Sequence, residues 1–152
     1  MGYRIIFFIL LNFAALAIGS YFTENGVSSD WYASLKKAPW NPPGWLFGVA
    51  WTTIMICFAV YMAYGTKYIN TKGLLAAFAV QWVLNVVWNP IFFHLHDVFL
   101  ALIVIILLTV LILIMFIAYW SRMKTKSFWL APYLIWMFLA TSLNAYIYFM
   151  NQ

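Results

Sequence analysis

Charge is what this chain has least of. Only 7% of its 152 residues are Asp, Glu, Lys or Arg, whereas 67% are hydrophobic; ordinary soluble domains carry about a quarter charged residues. That balance excludes a soluble globular domain and makes the chain an integral membrane protein. Acids are scarcer than bases: Glu24, Asp30 and Asp97 are the only three, and none lies inside a long apolar run. A proton relay built on buried carboxylates is thereby excluded, as is acid–base chemistry by a carboxylate pair in the membrane. With one cysteine, Cys57, no internal disulfide forms. No glycine-rich phosphate loop is present, nor a serine–histidine–acid set within reach of itself. His94 and His96 make a lone H-x-H with Asp97 beside it, too few ligands for a metal site, so none is expected. A net charge of +5 points to nucleic acid in a soluble domain. In so apolar a chain its distribution reports topology instead, and no nucleic-acid partner is expected.

What is there in quantity is apolar length. Five runs stand out, at about 5–23, 43–64, 73–93, 98–120 and 128–149. Roughly 20 helical residues cross a hydrocarbon core of about 30 Å, and helices satisfy their own backbone hydrogen bonds in lipid. The expectation is an all-α integral membrane protein: one five-transmembrane-helix bundle over residues 1–152, wrapped in lipid. The first run mimics a secretory signal, with Arg4 ahead of it and Ala17 and Gly19 spaced like a cleavage site, but it is long for a signal core and is read as a retained helix. Five crossings put Arg4, Lys67, Lys72, Arg122, Lys124 and Lys126 on one side, and only Lys36 and Lys37 on the other with all three acids. Basic residues concentrate on the cytoplasmic side, so the N-terminus is expected in the cytoplasm and the C-terminus outside.

The stretch between the first two runs, about 24–42, is the only connection long enough for structure of its own. Ser28, Ser29 and Asp30 offer N-caps for a short helix over Trp31–Lys37, which Pro39 stops. Asn41 is then expected to cap the second run, with Pro42 at its first position. Two readings of the tryptophans here stay open: an interfacial belt of Trp31, Trp40 and Trp45, or a rigid, proline-stiffened cover over something. In the third run Gln81, Asn85 and Asn89 recur every four residues and form one stripe, which must face the bundle interior. Such amides serve either as interhelical glue or, in the case of Asn85 near Trp88, as a ligand donor. Pro90 frees the carbonyl of Val86. The fifth run places Trp136, Ala140 and Asn144 on one face, where Ala140 is either a point of close helix packing or floor space for a bulky ligand. The fourth run, with Thr109 almost its only polar residue, reads as lipid-facing wall; Gly44 with Gly48, and Gly73 with Ala77, are small-residue pairs that permit helix contact.

Three segments in this order, "WYASLKKAPWNPPG", "LNVVWNPIFF" and "APYLIWMFLATSLN", resemble the translocator protein family, also called TspO or tryptophan-rich sensory proteins, and the likeness covers nearly the whole chain. Trp31, Tyr32, Leu35, Lys37, Trp40, Pro42 and Pro43 match the first family motif; Ala38 stands where the family usually has proline, one place before Pro39. The resemblance implies a five-helix bundle, commonly a homodimer, whose outer half encloses a pocket for flat hydrophobic ligands: porphyrins, haem, benzodiazepine-type drugs, and cholesterol in animal members. It implies that the first long loop closes that pocket, so that Trp31 and Trp40 belong to a lid. Trp51, Asn85, Trp88, Trp136, Ala140 and Asn144 fall on family motif positions, and Trp51, Asn85, Trp136 and Ala140 carry over as pocket lining. The cholesterol motif at the end of the fifth run lacks its basic residue: Tyr146 and Tyr148 are followed only by Met150, Asn151 and Gln152.

Two functions from different classes follow. One is a receptor or sensor that stacks a tetrapyrrole on aromatics, with Lys37 pairing a propionate at the mouth and no cofactor required. The other is a light-dependent enzyme in which Trp51 and Trp136 donate electrons to an excited porphyrin. A transporter is disfavoured, because neither inverted repeats nor a broken helix beyond Pro90 is present.

Overall fold

In lipid, a long apolar segment has to close its own backbone hydrogen bonds, and helices are how this chain does it. A computed structural model describes residues 1–69 and 71–152. Asn70, in the loop placed between Lys67 and Lys72 above, lies outside the described residues. The elements are α1 (Gly2–Val27), α2 (Asp30–Ser34), α3 (Gly44–Tyr68), α4 (Thr71–Phe93), α5 (Val98–Met123), a 3-10 turn (Lys124–Leu130) and α6 (Ala131–Met150). Gly2–Val27, Gly44–Tyr68 and Lys72–Phe93 are each long and apolar enough to cross a membrane. So is the helical stretch Val98–Met150, which the 3-10 turn divides into α5 and α6. The chain is an integral membrane protein.

The long helices form a ring in the order α3, α1, α4, α5, α6, with α6 returning to α3. Hydrogen bonds between helices give their directions. Asn144, late in α6, donates to the carbonyl of Val98, first in α5, so these two run antiparallel. Trp82 of α4 donates to the Leu11 carbonyl of α1, and further along Thr23 donates to Asn89, so α1 and α4 run parallel. All helix ends near the six basic residues therefore gather at one end of the bundle, and the ends near α2 at the other.

The two ends are filled differently, and side-chain volume is the reason. Toward the basic end Phe58, Tyr61, Met62, Met115, Tyr133 and Met137 are buried to 1% exposure or less and leave no room. Toward the α2 end the lining mixes Trp51, Trp88 and Trp136 with Ala15, Gly19, Gly48 and Ala140, and at the small residues the ring is left hollow.

Several local expectations are corrected. Ser29 does cap α2, its side chain accepting from Tyr32 N–H, but the helix ends at Ser34 rather than running to Lys37. The chain is extended at Leu35 (ψ 137°), and the N–H and C=O of Lys36 both pair with the Asn151 amide, a tertiary tie that overrides local helix preference. Asn41 does not cap α3, and Pro42 is not its first residue: the helix begins at Gly44, with Pro43 before it at ψ 148°. A residue preceding proline is driven out of the helical region, so Pro43 denies Pro42 a helical conformation. α5 is not merely a lipid-facing wall. Its Ala101, Ile105, Leu108, Thr109 and Ile112 are buried, and Thr109 meets the Thr141 hydroxyl of α6 at 2.8 Å. Gly44 and Gly48 make no helix contact, since the space where their side chains would stand is empty. The glycines that permit close approach are Gly19 and Gly26 of α1, where a β-carbon would strike Asn89 and Phe93 of α4, and Gly65 of α3, where it would strike Leu74 of α4. Finally, α6 begins at Ala131, not 128, because the chain turns at Lys124 (φ 48°) into the 3-10 segment.

Candidate ligand-binding site

The hollow end of the ring is a cavity of about 1010 Å³. Of the residues singled out from the sequence, Lys37, Trp51, Asn85, Trp88, Trp136, Ala140 and Asn144 all line it. The face of α6 that carries Trp136, Ala140 and Asn144 is turned inward as its four-residue spacing requires. Phe47 meets the Trp136 ring edge-on at 5.3 Å, and Trp51 meets Tyr133 edge-on at 6.1 Å, so each indole is fixed by a neighbouring ring.

The polar groups of the cavity are mostly committed to one another. Asn85 donates to the Tyr133 hydroxyl at 3.3 Å, and that hydroxyl donates to Gln81 Oε1 at 2.9 Å. Tyr133 is fully buried and Gln81 is 2% exposed, so this chain of bonds meets their needs where water is absent. The Asn144 amide is spent on both sides: its oxygen accepts from Trp88 Nε1 at 3.0 Å and its nitrogen donates to Val98 O. Asn89, next to the helical Pro90, donates to the carbonyls of Asn85 and Val86, the latter being the acceptor that Pro90 leaves without its usual partner. The amide stripe is thus glue at Gln81, while Asn85 and Asn89 both join the glue and line the cavity.

The segment between α1 and α3 roofs the cavity with Tyr32, Lys37, Asn41 and Pro42. Trp31 and Trp40 do not line it. They fasten the roof from outside: Trp31 stacks on His96 with ring centroids 4.0 Å apart and meets Phe92 edge-on at 5.5 Å. Trp40 packs edge-on against Tyr146 and donates to Ser142 Oγ. Together with the Asn151 tie at Lys36, these attach the roof to α4, α6 and the α4–α5 loop. Lys37 bends back so that its ammonium donates to the Tyr32 carbonyl at 2.7 Å and lies 4.3 Å from the centre of the Tyr32 ring. Burial raises the Tyr32 phenol above its ordinary value and keeps it neutral.

Sequence reasoning missed Tyr133 and the Thr23–Asn89 bond at 2.9 Å. Tyr133 stands three residues before Trp136 and so shares its face, which was the available signal for a partner to the Gln81–Asn85 stripe. Among the described residues no group of three or more His, Cys, Asp or Glu is placed to hold a metal ion.

The tryptophan-rich protein TspO of Archaeoglobus fulgidus is 36% identical over 143 residues, covering 91% of this chain and 92% of that protein. Protein CrtK of Rhodobacter capsulatus is 37% identical over 125 residues, covering 80% and 78%. The human translocator protein is 31% identical over 137 residues, covering 84% and 78%. The family described as TspO/MBR matches residues 7–150, and the chain belongs to it.

Proposed function

We propose that the protein is a membrane receptor or sensor whose cavity takes a flat amphiphilic tetrapyrrole of the porphyrin or haem class, with no cofactor of its own. One observation carries this: a single hollow of about 1010 Å³ joins the Trp51, Trp88 and Trp136 rings, the Asn85 amide and the Lys37 ammonium. Small-molecule pockets run to about 300–1,000 Å³, so the space suits a large ligand. Indole rings suit a wide π-face. Lys37, whose ammonium rests on a carbonyl and a ring, suits a propionate at the mouth. Five membrane crossings, a cytoplasmic basic end, an outward C-terminus and a homodimer complete the proposal. The six-to-two distribution of Lys and Arg supports the orientation, and the family likeness supports the dimer.

Dark titration of protoporphyrin IX into the detergent-purified protein tests the proposal. Quenching of tryptophan fluorescence is expected to saturate at one ligand per chain, and Trp51→Phe with Trp136→Phe to remove much of it while leaving affinity largely intact. Quenching that never saturates, as for a free tryptophan derivative in the same micelles, overturns the proposal. A second reading is favoured by Trp51 and Trp136 lining the same hollow: light-dependent degradation, in which an indole gives an electron to the excited macrocycle and dioxygen is the final oxidant. Illuminating the bound complex separates the two. A new chromophore that forms with wild type but not with the two phenylalanine variants supports the enzyme.

A further inference from the structure

We propose that ligands reach the cavity sideways from the bilayer, through a slit between α1 and α3, rather than from water through the roof. This rests on the proposed use of the cavity as a ligand site. Gly44, Gly48 and Thr52 recur every four residues along one face of α3; all three line the cavity and all three are exposed. Nothing lies within 4 Å of where a side chain at Gly44 or Gly48 would begin, so no neighbouring helix closes the gap. On the facing side, Leu16, Ser20, Thr23 and Val27 of α1 follow one helical stripe and also line the cavity.

The packing fastens α1 differently along its length. Toward the basic end Asn12 of α1 donates to the Met55 carbonyl of α3 at 2.9 Å and holds the two helices together. Toward the roof, Gly19 and Gly26 let α1 press against Asn89 and Phe93 of α4 instead. From Gly44 to Thr52 is eight residues, about 12 Å of helix at 1.5 Å each. Half of a hydrocarbon core of about 30 Å is about 15 Å, so the slit spans most of one leaflet. The roof, by contrast, is fastened at Trp31, Lys36 and Trp40. A flat ligand already dissolved in the bilayer passes edge-first between α1 and α3 with no element to move, so the ligand class is one that partitions into membrane.

The test places a thiol in the cavity by Ala140→Cys in a Cys57→Ala background, reconstituted in phosphatidylcholine vesicles, with and without Gly48→Leu. Leucine is a better helix former than glycine and projects into empty space, so the variant is expected to fold; Gly44→Leu serves as a second plug. Labelling by the bilayer-soluble N-(1-pyrenyl)maleimide is expected to slow tenfold or more with either plug, while labelling by a charged, water-soluble maleimide is unchanged. Equal pyrenylmaleimide rates with and without the plugs overturn the slit, and so does equal slowing of both reagents. Protoporphyrin IX gives a parallel reading: its association from the bilayer is expected to slow with either plug. If wild type binds no porphyrin, the proposed ligand fails, while the thiol reaction still decides the slit.

Discussion

Tyr133→Phe removes one oxygen atom from the middle of the bundle and leaves a ring of nearly the same shape. Two bonds are lost, one received from Asn85 at 3.3 Å and one given to Gln81 at 2.9 Å. Hydrogen bonds between membrane helices average about 0.6 kcal/mol and reach about 1.7. Gln81 is only 2% exposed, however, and stranding a buried acceptor costs about 1–3 kcal/mol. Asn85 faces the cavity, where water can replace the lost hydroxyl. The expected loss is therefore about 1–2 kcal/mol, arising mainly at Gln81. Adding Gln81→Leu removes the stranded amide, and replacing both partners by apolar groups is close to neutral. The double variant is thus expected to be more stable than Tyr133→Phe alone. Unfolding followed by circular dichroism in a titration of denaturing against mild detergent measures all three proteins. Equal stability of Tyr133→Phe and wild type would refute the reasoning, as would a double variant no better than the single.

Other expectations follow from the same packing. Gly26→Leu forces a side chain into Phe93 and should lower stability by about 1–3 kcal/mol, whereas Gly48→Ala meets open space and should be neutral or gain up to about 1 kcal/mol; thermal unfolding in detergent that ranks them equally would contradict the packing of α1 on α4. Trp31→Ala loses two ring contacts, each worth about 0.5–1.5 kcal/mol. It should speed labelling of the Ala140→Cys thiol by a water-soluble maleimide about fivefold or more, and an unchanged rate would reduce Trp31 to an interfacial anchor. A reporter fused after Gln152 should be active only outside the cytoplasm, and cytoplasmic activity would reverse the orientation.

The helices were legible because apolar length is a strong signal, and so was the inward face of α6, because Asn144 and Trp136 are residues that lipid does not welcome. The inward face of α5 was not. Where every residue is Leu, Ile, Val or Phe, lipid and bundle interior are equally apolar surroundings and no periodicity separates them. Thr109 was the one marker, and its partner Thr141 lies 32 residues away. Glycine pairs misled for a related reason: spacing tells which residues share a face but not what that face meets. Gly44 and Gly48 have the familiar spacing and border a void, while Gly19 and Gly26, seven apart, and Gly65 on another helix make tight contacts. The roof was recognisable as a structured cover, but what its tryptophans rest on was not: their rings fasten it to His96, Phe92 and Tyr146. Those partners are distant in sequence, and only the fold brings them together.

The central claim is that a porphyrin occupies the hollow beside α6, and Ala140→Leu tests it most directly. Ala140 lines the cavity between Trp136 and Asn144, one helical turn from each, so a leucine there takes up ligand space. Overpacking of this kind costs about 1–3 kcal/mol, and about 1.4 kcal/mol is tenfold in affinity. In a dark titration with protoporphyrin IX, the folded Ala140→Leu protein is expected to bind about tenfold more weakly or worse than wild type; an unchanged dissociation constant would place the ligand elsewhere.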